Sequence, residues 1–317
     1  MARYDRAMMD TSAPALGGDH AEAELRRELA QGDAMRMAAV PMLRQILAND
    51  RPVLLSEEIV ARVRGMLCNL AVQLCPADDD CAEAMRALSC HIGLLGHVHA
   101  LALEIQLAET LRERLALDPV LSPLLQALIA SNDPMTADIA MRFLAAQARF
   151  VQSQRRMAIP VTELPADLLH DVLITTQANH AVSHSKQAEI RASYEEGATR
   201  LSLASRLVAG MGAGAVACLS LSHAGLALFA TAFAESSGQK RDTAVLAMQE
   251  GQGPRTAVAL LGVGLRHDEI IPITLALDPQ AQLPESFPSL SRARAASLLA
   301  DNFAGAGGFG NGNSDVR

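Results

Sequence analysis

The chain is poor in aromatic side chains: they fill 3% of its 317 positions, with two Tyr and no Trp. Strands draw on aromatic and β-branched residues, whereas Ala and Leu, which supply most of the apolar half of this chain, are strong helix formers. The shortage therefore points to an all-α protein. It also removes the stacking platforms on which proteins hold unpaired bases. Positive charge is short as well, with 27 Lys and Arg against 35 Asp and Glu and a formal net charge of -8. Arg155 and Arg156 are too small a cluster to displace counterions along a phosphate backbone. No nucleic acid is expected among the partners.

The opening "MARYDRAMMDTSAPALGGDH" has two early arginines but no apolar core, so it does not read as a secretory signal. Five cysteines, at 68, 75, 81, 90 and 218, form no disulfide framework and suit reduced thiols. These features predict a cytoplasmic protein.

What is present is a succession of amphipathic runs divided by short breakers. Residues 1–18 read as a disordered leader, 19–157 as an N-terminal helical region, 158–301 as a C-terminal helical region, and the Gly/Asn-rich 302–317 as a disordered tail. Asp19 is an expected N-cap, with Leu25 and Leu29 on one face. Ser56 caps a second run whose Ile59, Val63, Met66, Leu67, Leu70 and Leu74 keep helical spacing. The long region after Cys81 is expected to bend near Gly93 and Gly96. Asp118-Pro119, Asp133-Pro134 and Pro165 then divide shorter runs, because Pro ends one helix and opens the next. "LALDP" occurs at 115–119 and again at 275–279, and reads as a recurring turn.

The segments "LRERLALDPVLSPLLQALIASNDPMTADIAMRFLA" and "VTELPADLLHDVL" resemble the degenerate HEAT-like helical repeats of a bacterial, mainly alphaproteobacterial, family of unknown function. The segment from Ser193 to Met248 is similar to the C-terminal half of such proteins. The likeness spans about residues 111–277. It implies an array of short antiparallel helices with a compact helical C-terminal part, and no catalytic residues, because the family has none assigned.

Cys90, His91, His97 and His99 are candidate metal ligands, with Cys68, Cys75 and Cys81 upstream. Zinc needs ligands converging tetrahedrally, usually from a C-x₂₋₄-C knuckle, and none exists here. Cys68 and Cys75, seven apart, share a helix face as core residues would. His180 and His184, with His170 nearby, lack the glutamate of a zinc protease and suit an exposed surface. The adjacent pairs Glu57/Glu58 and Glu195/Glu196 read as solvated charge. "GQGPR" at 251–255 reads as a surface loop.

The run from Leu207 to Ala234 carries no formal charge, and 13 of its 28 residues are Ala or Gly. "GMGAG" follows a helical run rather than a strand, so it is no dinucleotide loop. The run has the length of a membrane span but no Trp or Tyr at its edges. The preferred expectation is a turn or close-packing point at Gly210 to Gly214, followed by one or two buried helices from Ala215 to Ala234 around His223. No catalytic residue and no cofactor is assigned. The functional expectation is a non-enzymatic cytoplasmic scaffold or regulatory module with a protein partner. Two alternatives are a metal-dependent enzyme or sensor using the Cys/His cluster, and a membrane-associated protein using 207–234.

Overall fold

The computed structural model describes residues 16–49, 56–75, 81–178, 182–249 and 251–307. Most of the expected leader and the end of the expected tail, 1–15 and 308–317, lie outside them. The helices are α1 (Leu16–Asn49), α2 (Glu57–Leu74), α3 (Ala82–Cys90), α4 (Ile92–Leu115), α5 (Pro123–Ile129), α6 (Pro134–Gln154) and α7 (Ala166–Ala178). They continue as α8 (His184–Ser193), α9 (Arg200–Gly210), α10 (Leu221–Ser237), α11 (Arg241–Leu246), α12 (Gly253–Val263), α13 (His267–Leu277) and α14 (Arg292–Gly307). Short 3₁₀ segments include Gly212–Leu219, and no strand occurs among the described residues. The fold is all-α.

Local signals act where the sequence placed several of them. Ser56 Oγ accepts from Ile59 N at 3.3 Å, and the six apolar residues expected on the inner face of α2 are all buried. Asp133 caps α6 by accepting from Met135 N and Thr136 N, with Pro134 in the first turn. Asp118 Oδ1 accepts from Val120 N, and Asp278 Oδ1 from Gln280 N, so the two "LALDP" segments share an Asp side-chain turn, but the helix before it ends at Leu115 in the first and at Leu277 in the second.

Other boundaries moved. α1 starts at Leu16, which places Asp19 within the helix rather than at its cap. The expected bend at Gly93 and Gly96 falls instead at His91, where α3 and α4 meet at 88°. The cause is visible: His91 has extended backbone, and its Nδ1 accepts from Leu94 N at 3.1 Å, opening a new helix. Residues 302–307 continue α14. "GQGPR" does not form a surface loop: Gln252, Gly253 and Arg255 are buried, and Arg255 pairs with Asp33 of α1.

α4 is the core of the assembly. It buries the unbroken run from His97 to Ile105, which covers its whole circumference. α2, α11, α13 and α10 pack around it. α6 packs on α9, and α1 reaches across to α12 and α14, so the first and last of these helices meet. The Asp33–Arg255 and Glu22–Arg294 pairs join them. Helices from both sides of the boundary expected at 157/158 therefore share one core.

Candidate functional site

The charge-free run contributes to an apolar concavity. α9 ends at Met211, and the chain turns by 117° into the Gly212–Leu219 segment, with Gly212 at φ 53°. The expected turn at Gly210 to Gly214 is therefore present. The expected burial around His223 is not. Residues 209–214 are largely exposed, Val216 is 71% exposed and His223 is exposed, whereas Cys218, Leu219 and most of Ala224 to Ala234 are buried. The run contributes one wall of a cleft and, beyond it, one core helix. α10 is itself kinked at Gly225 (φ 70°, ψ 164°), whose Cα faces Ser122 so closely that a Cβ would sit 3.0 Å from Ser122 Cβ. Among the described residues no single helix is long and apolar enough to cross a membrane.

The cleft has a volume of about 790 Å³. Leu115 at the end of α4, Val216 and Leu219 to Ser222, Val263 to Leu265 at the end of α12, Glu269, Pro272, Ile273, Leu275 and Ala276 of α13, and Arg292 at the start of α14 line it. Its lining is mostly apolar. Leu115, Val216 and Leu275 remain 48%, 71% and 46% exposed at its mouth. Large apolar side chains grouped around an open concavity mark a binding surface.

Two charges line it, and they differ in their commitments. Glu269 Oε2 accepts from Arg266 N at 2.9 Å and faces Arg266 Nε at 3.5 Å, closing the first turn of α13. Arg292 donates only a long hydrogen bond of 3.4 Å from Nε to Gly262 O, and it has no carboxylate partner among the described residues. Its guanidinium lies against Gly264, which ends α12 at φ 109°. A Cβ there would stand 3.0 Å from Arg292 Nη1. Gly264 thus supplies both the left-handed turn and the seat for Arg292.

A second polar assembly lies inside the fold, and sequence reasoning missed it. Glu104 of α4 is 2% exposed. Its Oε1 accepts from Arg200 Nη1 and Arg241 Nη2, both at 2.8 Å, and its Oε2 from Arg200 Nη2 at 3.0 Å and Arg241 Nη1 at 2.8 Å. Burial pushes the Glu104 carboxyl up, but the charges and hydrogen bonds of Arg200 and Arg241 outweigh it and hold the group well below the carboxylate range. Arg200 also stacks 3.8 Å from the Phe150 ring centroid and donates to Gln147 Oε1 at 3.1 Å. The arrangement pins α9 and α11 to α4. A lone Glu within "ALALEIQLA" was the available signal, since a carboxylate in a helix apolar all round must find a partner.

The structure separates the sequence-predicted ligands. Cys90 is exposed, and His91 caps α4. His97 Nδ1 lies 2.9 Å from Asp242 Oδ2, leaving Nε2 buried without a hydrogen-bond partner. His99 is 1% exposed with neither ring nitrogen bonded, and burial lowers its pKa to about 4. Among the described residues no group of three or more His, Cys, Asp or Glu converges as a metal site would require. Cys68 is exposed, not on the inner face with Cys75, and Cys218 is buried. His170 and His184 are exposed, as are both glutamate pairs; His180 lies outside the described residues.

In comparisons with protein-family models, with curated proteins and with solved structures, nothing matches the chain.

Proposed function

We propose that the protein is a non-enzymatic scaffold or regulatory module of the cytoplasm that engages a protein partner across the cleft between α10 and α13. The observation that supports this reading is the grouping of Leu115, Val216 and Leu275, large and exposed, at the mouth of an apolar concavity. Interface cores are apolar, and this lining is mostly so, with Glu269 and Arg292 as its two charges. The resemblance to HEAT-like helical arrays agrees, because such arrays present concave surfaces to partners. The acidic balance of the chain supports a partner other than nucleic acid.

The test is paired affinity purification of the full chain and of Val216→Glu and Leu275→Glu, with identification of co-eluting proteins and fractionation of the cell lysate. A partner retained by the full chain and lost by both variants is expected, in the fraction obtained without detergent. A monomeric full chain that retains nothing would sink the reading.

A further inference from the structure

We infer that the cleft binds a single-chain aliphatic carboxylate, a fatty-acid-class ligand, with Arg292 taking the head group and the apolar walls taking the chain. The inference rests on the reading of this cleft as the binding face, and it names a ligand that lies beneath the surface a protein partner would cover. Three observations meet. The volume of about 790 Å³ falls within the range of about 300–1,000 Å³ typical of small-molecule sites. The walls from Leu219, Leu221, Val263 and Ile273 offer nothing to a polar ligand but accept methylenes. The charges at the cleft are unequal, because Glu269 is spent on the first turn of α13 while both terminal nitrogens of Arg292 lack a carboxylate among the described residues.

Chain and head group are thus recognised by different parts of one concavity. A guanidinium fork matches a carboxylate through two parallel hydrogen bonds. Gly264 and Gly262 hold that fork at the edge of the cleft. Ser220 and Ser222 also line the site and supply hydroxyls near its mouth.

The experiment titrates the full chain with decanoate, dodecanoate and tetradecanoate below their micelle concentrations, with dodecanol as the uncharged control. Binding is read by calorimetry and located by backbone NMR shifts. Each added methylene is expected to tighten binding by up to about fourfold until the cleft is filled. Arg292→Gln is expected to weaken dodecanoate about tenfold or more and leave dodecanol unchanged. Leu275→Glu is expected to abolish carboxylate binding, and equal melting temperatures of both variants and the parent would show that they fold. Shifts should cluster at Val216, Gly264, Leu275 and Arg292. The inference is overturned if no saturable binding occurs, if chain length has no effect, if dodecanol and dodecanoate respond alike to Arg292→Gln, or if the shifts fall elsewhere. Failure here with a partner still lost from Val216→Glu and Leu275→Glu would remove the ligand and leave the binding-face reading standing. Ligand binding with no partner recovered would do the reverse.

Discussion

Arg241 and Glu104, 137 positions apart in the chain, face each other through two hydrogen bonds of 2.8 Å each, one to each carboxylate oxygen. Arg200 makes the corresponding pair from the other side. A buried ion pair of this kind gains little over an apolar packing, but removing one member strands the others in a low-dielectric interior. Glu104→Gln is therefore expected to cost about 3–5 kcal/mol. Urea unfolding followed by circular dichroism measures it, and a loss within about 1 kcal/mol would show that Arg200 and Arg241 are solvated after all. Because the folded carboxyl is held below its ordinary value, its contribution is present above pH 4.5 and is lost as pH falls below that value.

His99 acts in the opposite sense to a histidine that gains a partner. Its folded pKa is about 4 against an ordinary 6.5, so between these values the unfolded chain binds the proton and the folded chain refuses it. Stability should fall as pH drops through that window, by about 1.4 kcal/mol for each pH unit well inside it. His99→Leu should flatten this part of the profile and raise stability at neutral pH, since it removes two buried nitrogens with no partner. An unchanged slope in the variant would assign the effect to another group.

His91 caps α4 through its Nδ1, which accepts from Leu94 N. His91→Ala should cost about 0.5–2 kcal/mol, and His91→Asn should restore most of it. Thermal melts of the two variants give the comparison. Equal losses would mean that the ring matters for packing rather than for the cap.

Gly225 sits at φ 70° and ψ 164°, a region reserved for glycine, with Ser122 directly opposite. Gly225→Ala should destabilise the fold by more than about 1 kcal/mol, through backbone strain and through displacement of the Ser122 cap of α5. Trimming Ser122 to Gly in the same chain should recover part of the loss. No recovery would confine the cost to the backbone.

The cysteines should separate cleanly in alkylation. Cys68 and Cys90 are exposed, whereas Cys218 is buried and burial, with a smaller effect of Glu235, pushes its thiol up to about 11. Iodoacetamide at neutral pH should label the first two in the native protein and reach Cys218 only after unfolding. Peptide mass spectrometry reads the sites, and early labelling of Cys218 would mean that the α10 region opens readily.

Helix content and several helix boundaries were legible because their signals are local. The Ser56 cap, the Asp133-Pro134 start and the period of α2 each lie within a few residues of the effect they produce. The cleft and the ion cluster were not legible, because each joins residues that only the folded chain brings together. Leu115, Val216, Leu275 and Arg292 carry no common motif, and the apolar run around Glu104 calls for a partner without naming Arg200 or Arg241. His223 failed for a related reason. Apolar composition told that the 207–234 run packs somewhere, but the 117° turn at Met211 decides which part does, and it leaves Val216 and His223 outside.

The order of synthesis gives the Glu104 cluster a further meaning. At about 5–20 residues per second, roughly 7–27 seconds separate the emergence of Glu104 from that of Arg241. Through that interval α4 carries a carboxylate on a surface that must later be dry, so its final packing waits for the second half of the chain. A released fragment ending before Arg200 should accordingly be cut by protease throughout α4, and a protected α4 in that fragment would contradict this order of events.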